Sequence, residues 1–233
     1  MNTINAAGYL AGALGANAAI RRFGMLHTIR VSTIVSVLTL AMSALTGDWV
    51  VFGFARLLSG VSGAFAMVAG SAVATSIAQG QRQHQAFYVS LFYLGPAAGI
   101  LISGFVAPFL LEWHGAGSWW ITWGVLAAIS ASLTVLLLTM RVDHSPAPAG
   151  ASKTQVKAAP VLFYLIGYFL FGTGYIAYMT FMIAYVRNVG GGALAQSAFW
   201  TCIGVGALAH PWTWSGLMAK SRGGGATALL TGI

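Results

Sequence analysis

The sequence has 233 residues, of which 58% are hydrophobic and only 6% are charged, and its mean hydropathy is +0.81. Because a soluble domain carries about a quarter charged residues, this composition excludes an ordinary soluble protein. The net charge of +8 would suggest nucleic-acid binding in a soluble chain, but the basic residues lie mostly in short segments between apolar blocks, where they act on membrane topology. We therefore exclude nucleic acid as a partner. The single cysteine, Cys202, excludes a disulfide framework and a cysteine-based metal site.

Apolar blocks follow one another along the chain, each about twenty residues long, which is the length that an α-helix needs to cross a bilayer. In chain order they run roughly from Ile4 to Ile20, Val31 to Thr46, Trp49 to Ala74, Ala86 to Leu111, Trp119 to Met140, Val161 to Val186 and Ala193 to Met218. The pattern predicts an all-α, polytopic membrane protein with about seven transmembrane helices.

Basic residues mark alternate connections between these blocks. One side holds Arg21, Arg22, Arg30, Arg82, Arg141, Lys153, Lys157, Lys220 and Arg222, and the other holds Arg187, Asp48 and Glu112. The positive-inside rule predicts that the first side faces the cytoplasm. The first block would then run inward without a basic segment before it, and the last residues would begin a span without completing it. We therefore expect the chain to be a fragment of a longer protein.

The third block carries an isolated arginine. Arg56 lies seven residues after Trp49, roughly 10 Å into the helix, and a charge at the bilayer centre costs about 2.5 to 3.5 kcal/mol. Gly60 and Gly63 share its helix face. Arg56 could snorkel to the outer interface while the glycines pack helices. We favour a second interpretation, in which Arg56 binds an anionic group or shapes proton transfer in a central cavity, because ionisable residues inside membranes are functional by default.

The fourth block contains GPAAG, from Gly95 to Gly99. Pro96 removes one backbone donor, and the flanking glycines lower the cost of bending. The stretch predicts a kink or a close helix contact.

The sixth block places tyrosines on one helix face, within an arc of roughly 100°. They are Tyr164, Tyr168, Tyr175, Tyr178 and Tyr185. The first and last fit an interfacial belt, whereas Tyr168, Tyr175 and Tyr178 lie too deep for one, and each of their hydroxyls needs a partner. They could bond neighbouring helices or line a cavity. We lean toward the cavity, because the GTG stretch between them loosens the helix where a substrate would sit.

Two cytoplasmic loops are alike: NAAIRRFG, Asn17 to Gly24, and GLMAKSRG, Gly216 to Gly223. Such repeats are typical of transporters built from two similar halves. The first loop is similar to the G-x-x-x-D-R-x-G signature of the major facilitator superfamily. Arg22 and Gly24 match it, whereas Asn17 stands at its first Gly and Arg21 at its Asp. RLLSGVSGA, which begins at Arg56, resembles the superfamily's fourth-helix pattern R-x-x-x-G-x-x-G-A.

GPAAG resembles the fifth-helix G-P-x-x-G motif of proton-coupled exporters in the same superfamily, and the short central loop and the GTGY stretch resemble a bacterial branch of YbfB/YjiJ type. The resemblance implies helices two to eight of twelve: 1–140 as an N-terminal half without its first helix, 141–160 as a cytoplasmic linker, and 161–233 as the truncated start of the second half. It implies a secondary active transporter that moves a small molecule across the inner membrane by alternating access, with proton-coupled export.

We assign the transport path to Arg56, Tyr168, Tyr175 and Tyr178. The resemblance implies helix packing and gating for Gly60, Gly63, Gly95, Pro96, Gly99, Arg22 and Gly24. The expected partners are a small-molecule substrate, the lipid bilayer and coupled protons, and no cofactor or metal is expected. No Asp or Glu lies within a block, so a coupling carboxylate would lie in a helix outside this sequence.

The sequence shows no catalytic, phosphate-binding or metal-binding constellation, so we expect no enzyme. A seven-helix receptor or sensor is the alternative, since it fits the number of spans. The last spans lack a lysine for a retinal Schiff base. A structural membrane subunit also fits, but it leaves the arginine inside the membrane without a purpose.

Overall fold

A computed structural model describes residues 1–79, 85–140 and 158–220, and within these ranges the secondary structure is helical, with no strand. The α-helices are α1 (Asn2–Phe23), α2 (Met25–Leu45), α3 (Trp49–Gln79), α4 (Gln85–Phe92), α5 (Leu94–His114), α6 (Trp119–Thr139), α7 (Ala158–Asn188) and α8 (Ala193–Lys220). The 3₁₀ turn Ala116–Ser118 leads into α6. All seven predicted blocks are therefore helical.

Five segments of the described helices are long and apolar enough to cross a membrane. They are Met25–Leu45, Trp49–Ala78, Phe87–His114, Trp119–Thr139 and Leu165–Asn188. The buried side chains are mostly small or polar, whereas large apolar ones such as Leu14 and Leu45 are 79% and 88% exposed. A soluble protein would bury such leucines, but a helix that faces lipid can expose them. The prediction of a polytopic helical membrane protein is confirmed.

The two turns that follow α1 and α2 are fixed by local chemistry. Gly24 has a φ of 84°, a backbone conformation that favours glycine, and its N–H donates to the carbonyl of Ile20 at 2.8 Å. Asp48 caps α3, because its Oδ1 accepts the backbone N–H groups of Val50 at 2.7 Å and Val51 at 3.1 Å. Each turn therefore reverses the chain within a few residues.

The fourth predicted block is not one continuous helix. It is interrupted at Tyr93, between α4 and α5. Pro96 explains the position, since its nitrogen has no hydrogen to donate to the carbonyl of Phe92. Pro96 instead occupies the first turn of α5, where backbone N–H groups have no partner within the helix. The boundary of this block is corrected accordingly.

The chain divides into a first unit, Met1–Phe92 with Leu110–Ala147, and a second unit, Tyr93–Phe109 with Pro148–Ile233. In the first unit α3 packs along α1, α2 and α4, and α2 also packs along α6. In the second unit α8 contacts α7 and the part of α5 that carries Leu101 and Gly104. The helix α3 is therefore the central element of the first unit.

Candidate transport site

The side chain of Arg56 lies among three helices of the first unit. Its Nη2 donates a hydrogen bond to the hydroxyl of Ser43 on α2 at 2.7 Å. Its guanidinium carbon lies 4.4 Å from the ring centre of Trp123 on α6 and 5.4 Å from that of Phe52 on α3. Cations at such distances are attracted to the faces of aromatic rings. The charge of Arg56 is therefore stabilised by one hydroxyl and two rings.

One donor of this guanidinium remains unused. The Nε of Arg56 is buried and has no hydrogen-bond partner within the described part of the chain. A buried N–H of a charged group without an acceptor is costly, so the arrangement favours an additional acceptor such as a water molecule or an anionic group. The guanidinium of Arg56 is thus held by Ser43 and two aromatic rings, while its Nε lacks a hydrogen-bond acceptor among the described residues.

Ser43 belongs to a stripe of hydroxyl side chains on α2. The stripe consists of Thr28, Ser32, Ser36, Thr39 and Ser43, at the spacing of one helix face. Ser43 is fully buried, and its hydroxyl donates to the carbonyl of Thr39 at 2.7 Å while it accepts from Arg56. The hydroxyl oxygens of Ser36 and of Ser62 on α3 lie 2.9 Å apart and share a hydrogen bond. Ser36 and Ser43 of the stripe therefore make polar contacts with α3.

This hydroxyl stripe is a feature that our sequence interpretation missed. Its signal is the recurrence of Ser or Thr every three or four residues in an otherwise apolar block. The partnership of Arg56 with Trp123 had no such signal, because the two residues are far apart in sequence and the spacing within one helix says nothing about the neighbouring helix.

Glycines let α1 and α3 approach closely. A Cβ added to Gly8 would meet the carbonyl of Leu57, and one added to Gly12 would lie 2.7 Å from that of Val61. From the other side, a Cβ on Gly60 would meet the backbone of Asn5 and Tyr9. Asn5 also donates from its side-chain amide to the carbonyl of Arg56 at 3.0 Å. The interface is therefore backbone against backbone.

Gly63 and Gly60 differ in their surroundings. The nearest atom to a Cβ on Gly63 is the Cδ2 of Tyr9, at 4.0 Å, which is ordinary contact distance. The glycine face of α3 is thus occupied by α1 near Gly60, whereas the Arg56 side chain contacts α2 and α6.

Arg22 and Gly24 lie at the turn between α1 and α2. Arg22 is exposed in the last turn of α1, and its guanidinium carbon lies 5.4 Å from the ring centre of Phe23. Gly24 is the residue of positive φ that ends the helix. Its carbonyl accepts the hydroxyl of Thr28 at 2.7 Å, so the turn also begins the hydroxyl stripe of α2.

The GPAAG stretch forms the beginning of α5. Gly95 and Gly99 face open space, because a Cβ on either would meet no described atom within 4 Å. Pro96 is exposed and Ala97 is buried. The structure therefore places the three motif residues beside a helix break instead of in a tight helix contact.

The tyrosine face of α7 is open in the second unit. Tyr168, Tyr175 and Tyr178 are 71%, 43% and 49% exposed. The ring of Tyr178 lies 5.7 Å from that of Phe199 on α8, and Tyr175 stacks on Phe171 of its own helix. No hydrogen bond joins the three hydroxyls to another described residue. The side chain of Tyr164 lies outside the described residues.

No group of three or more His, Cys, Asp or Glu side chains comes close enough to hold a metal ion in the residues that the structure describes. His210 on α8 has a buried Nδ1 without a partner within that same set. It lies in the second unit, as do the tyrosines of α7.

Comparison with protein families gives one match that covers the whole sequence. A family model described as "Uncharacterised MFS-type transporter YbfB" matches residues 1–233, where MFS denotes the major facilitator superfamily. Comparison with curated proteins and with solved structures gives no match. The match agrees with the superfamily that the loop, fourth-helix and GPAAG motifs resemble, and with the branch that the short central loop and the GTGY stretch resemble.

Proposed function

Because the chain belongs to this family of YbfB-like MFS-type transporters, we propose that it moves a small molecule across the bacterial inner membrane as a secondary active transporter, by alternating access. We further propose that the transport is proton-coupled export. Membership in a transporter family favours this function over a receptor or a sensor. No covalent step is part of the proposal.

The observation that carries the substrate side of the proposal is the unused donor of Arg56. A fixed positive charge inside a membrane protein attracts negative charge strongly, since little water screens it. Ser43, Phe52 and Trp123 hold the guanidinium, and the buried Nε has no acceptor among the described residues. We propose that Arg56 contacts an anionic group of the solute or sets the pKa of a proton-carrying neighbour.

The tyrosine face supports a path that can contact polar solutes. Tyr168, Tyr175 and Tyr178 expose large parts of their side chains on α7, and their hydroxyls have no hydrogen bond to another described residue. A phenol presents an apolar ring and a polar tip, which suits contact with a solute that is only partly polar. We propose that these three tyrosines line the path near the midplane.

The break at Tyr93 supports a conformational role for GPAAG. The first segment of the first unit ends at Phe92, and Pro96 lies only a few residues into the second unit. Helix interruptions of this kind concentrate backbone change at a few residues. We propose that Gly95, Pro96 and Gly99 allow the backbone at this interruption to bend during transport. The direction of export is proposed from the resemblance of this motif to that of proton-coupled exporters.

The function is tested in the bacterium that carries the coding sequence. The metabolites inside and outside the cells are compared between the parent strain, a strain in which the sequence is disrupted, and a restored strain. We expect a small molecule with an anionic group to accumulate inside the disrupted cells and to reappear outside on restoration. A protonophore should abolish its release. Accumulation of the compound outside the disrupted cells instead of inside them would contradict export. Identical metabolite profiles in the parent and disrupted strains would contradict transport of any cellular metabolite.

A further inference from the structure

The first unit contains a second candidate site, a cavity of about 480 Å³ beside the turn between α2 and α3. The turn contributes Asp48 and Trp49, and the remaining walls include the rings of Phe52, Trp119 and Trp123. Two of these rings, Phe52 and Trp123, also contact Arg56, but Arg56 itself does not line the cavity. The cavity therefore has four aromatic walls and one carboxylate.

The carboxylate is held in place and retains a free acceptor. Oδ1 of Asp48 accepts two backbone N–H groups of α3, and the backbone N–H of Asp48 donates to Thr46 Oγ1 at 3.1 Å. Oδ2 has no hydrogen bond to any described residue. Because the cap fixes the rotamer, a ligand would not need to order this side chain on binding. Asp48 is also the one charged residue in the cavity wall.

Tryptophans at the ends of membrane spans often lie at the level of the lipid headgroups, and this accounts for exposed residues such as Trp120. It does not account for the enclosure of Phe52, whose ring meets those of Trp119 and Trp123 edge to face, with ring centres 6.1 Å apart in each pair. These contacts fix the rings relative to one another. The cavity is therefore bounded by three aromatic rings in mutual contact, by the exposed ring of Trp49 and by a carboxylate that caps α3.

We propose that this cavity binds an organic cation with a compact ammonium group and an apolar body. Aromatic rings around a carboxylate are the chemistry that recognises ammonium ligands, through attraction to the ring faces and to the negative charge. Trp49, Trp119 and Asp48 hold the cationic end, because neither tryptophan is occupied by Arg56. Phe52 and Trp123 contact the apolar body. The inference does not rest on the proposed transport, since binding can be measured without turnover.

The test is isothermal titration calorimetry with the purified 233-residue protein in detergent micelles. The probe is benzyltrimethylammonium, and benzenesulfonate is the anionic probe of similar size. Heats of titration into empty micelles are subtracted. We expect the ammonium probe to bind more tightly than the sulfonate. The reverse order, or no binding of the ammonium probe at millimolar concentration, would overturn the proposal.

Two pairs of variants locate the binding. Asp48→Asn keeps an oxygen that can cap α3 but removes the charge, and it should weaken binding by about fivefold or more, as expected for two unit charges at roughly 4 Å in a solvated site. Glu112→Gln, an exposed carboxylate outside the cavity wall, is its control and should leave binding unchanged. Trp119→Leu should weaken binding by about threefold, whereas Trp120→Leu should not.

Folding of each variant is checked by its thermal unfolding midpoint. Should Asp48→Asn fail to fold, the Trp119 and Trp120 pair decides the outcome by itself. A folded Asp48→Asn variant that binds as the parent protein does would contradict the proposal, as would equal effects of Trp119→Leu and Trp120→Leu. Either result would mean that the probe binds elsewhere.

Discussion

The guanidinium of Arg56 lies over the ring of Trp123, with 4.4 Å between the guanidinium carbon and the ring centre. The two residues belong to α3 and α6, and both helices also pack along α2. A planar guanidinium can stack on a ring and still donate in its plane, which an ammonium cannot do. Replacing Arg56 by lysine therefore tests whether this position requires a guanidinium or only a positive charge.

Arg56→Lys should impair export of the identified metabolite by roughly tenfold, because lysine keeps the charge but loses the planar donors and the stacking on Trp123. Arg56→Gln should impair it further, without lowering the amount of protein in the membrane. Export is measured in restored cells and normalised to membrane protein. Arg187→Gln, an exposed arginine at the end of α7, is the control and should remain active. Full activity of Arg56→Gln would show that the residue carries no function.

Ser43→Ala should destabilise the first unit by about 1.5 to 3 kcal/mol, because it removes the acceptor of a hydrogen bond from a charged group. The measurement is the thermal unfolding midpoint in detergent. Ser132→Ala is the control, since Ser132 is exposed and its hydroxyl bonds only to the carbonyl of Ala128 in its own helix. Equal midpoints for the two variants would mean that Arg56 does not depend on Ser43.

Gly60→Ala should destabilise the packing of α1 against α3 by about 1 to 3 kcal/mol, the usual effect of overpacking. The added methyl group meets backbone atoms of Asn5 and Tyr9, which cannot rotate away as a side chain could. Gly63→Ala lies three residues further along the same helix and meets only the ring of Tyr9 at 4.0 Å, so it should be tolerated. Unfolding midpoints of both variants compare the two sites. A larger loss at Gly63 would contradict the observed interface.

The sequence predicted the helices well, because runs of about twenty apolar residues leave a helix as the simplest way to satisfy the backbone in lipid. It gave Ala86 to Leu111 as one uninterrupted block, although the kink or close helix contact predicted at GPAAG lies only a few residues from the observed interruption at Tyr93. Hydropathy alone does not reveal the donor that Pro96 lacks, and the structure adds the exact place of the interruption, with Pro96 in the first turn of α5.

The surroundings of Arg56 were less predictable. The sequence showed that a charge lies inside a span, and it showed the glycines on the same helix face. It could not show that the guanidinium meets α2 and α6 while Gly60 meets α1, because the periodicity of one helix contains no information on its neighbours. The roles of Arg56, the tyrosines and the GPAAG residues in transport remain predictions.

Gly24→Ala should destabilise the turn between α1 and α2 by about 1 to 3 kcal/mol, because its backbone angles, φ 84° and ψ 158°, lie in a region that essentially only glycine adopts. Steric crowding is not the cause of this loss of stability, since a Cβ added to Gly24 meets nothing within 4 Å. Gly47→Ala in the next turn also meets nothing within 4 Å and lacks a positive φ, so it should have little effect. The thermal unfolding midpoints of both variants are measured in parallel. An equal loss of stability in Gly24→Ala and Gly47→Ala would contradict this explanation.

The orientation of the first unit in the membrane can be tested with single cysteines in a Cys202→Ala background, which removes the exposed native thiol. His27 lies two residues into α2, close to Arg21, Arg22 and Arg30, and Glu112 lies near the end of α5. Since basic loops are retained in the cytoplasm, we expect an impermeant thiol reagent added to intact cells to label Glu112→Cys but not His27→Cys. Both should be labelled after the cells are broken, which confirms that each thiol is accessible. Labelling of position 27 alone in intact cells would reverse the orientation and place the Asp48 cavity on the cytoplasmic side.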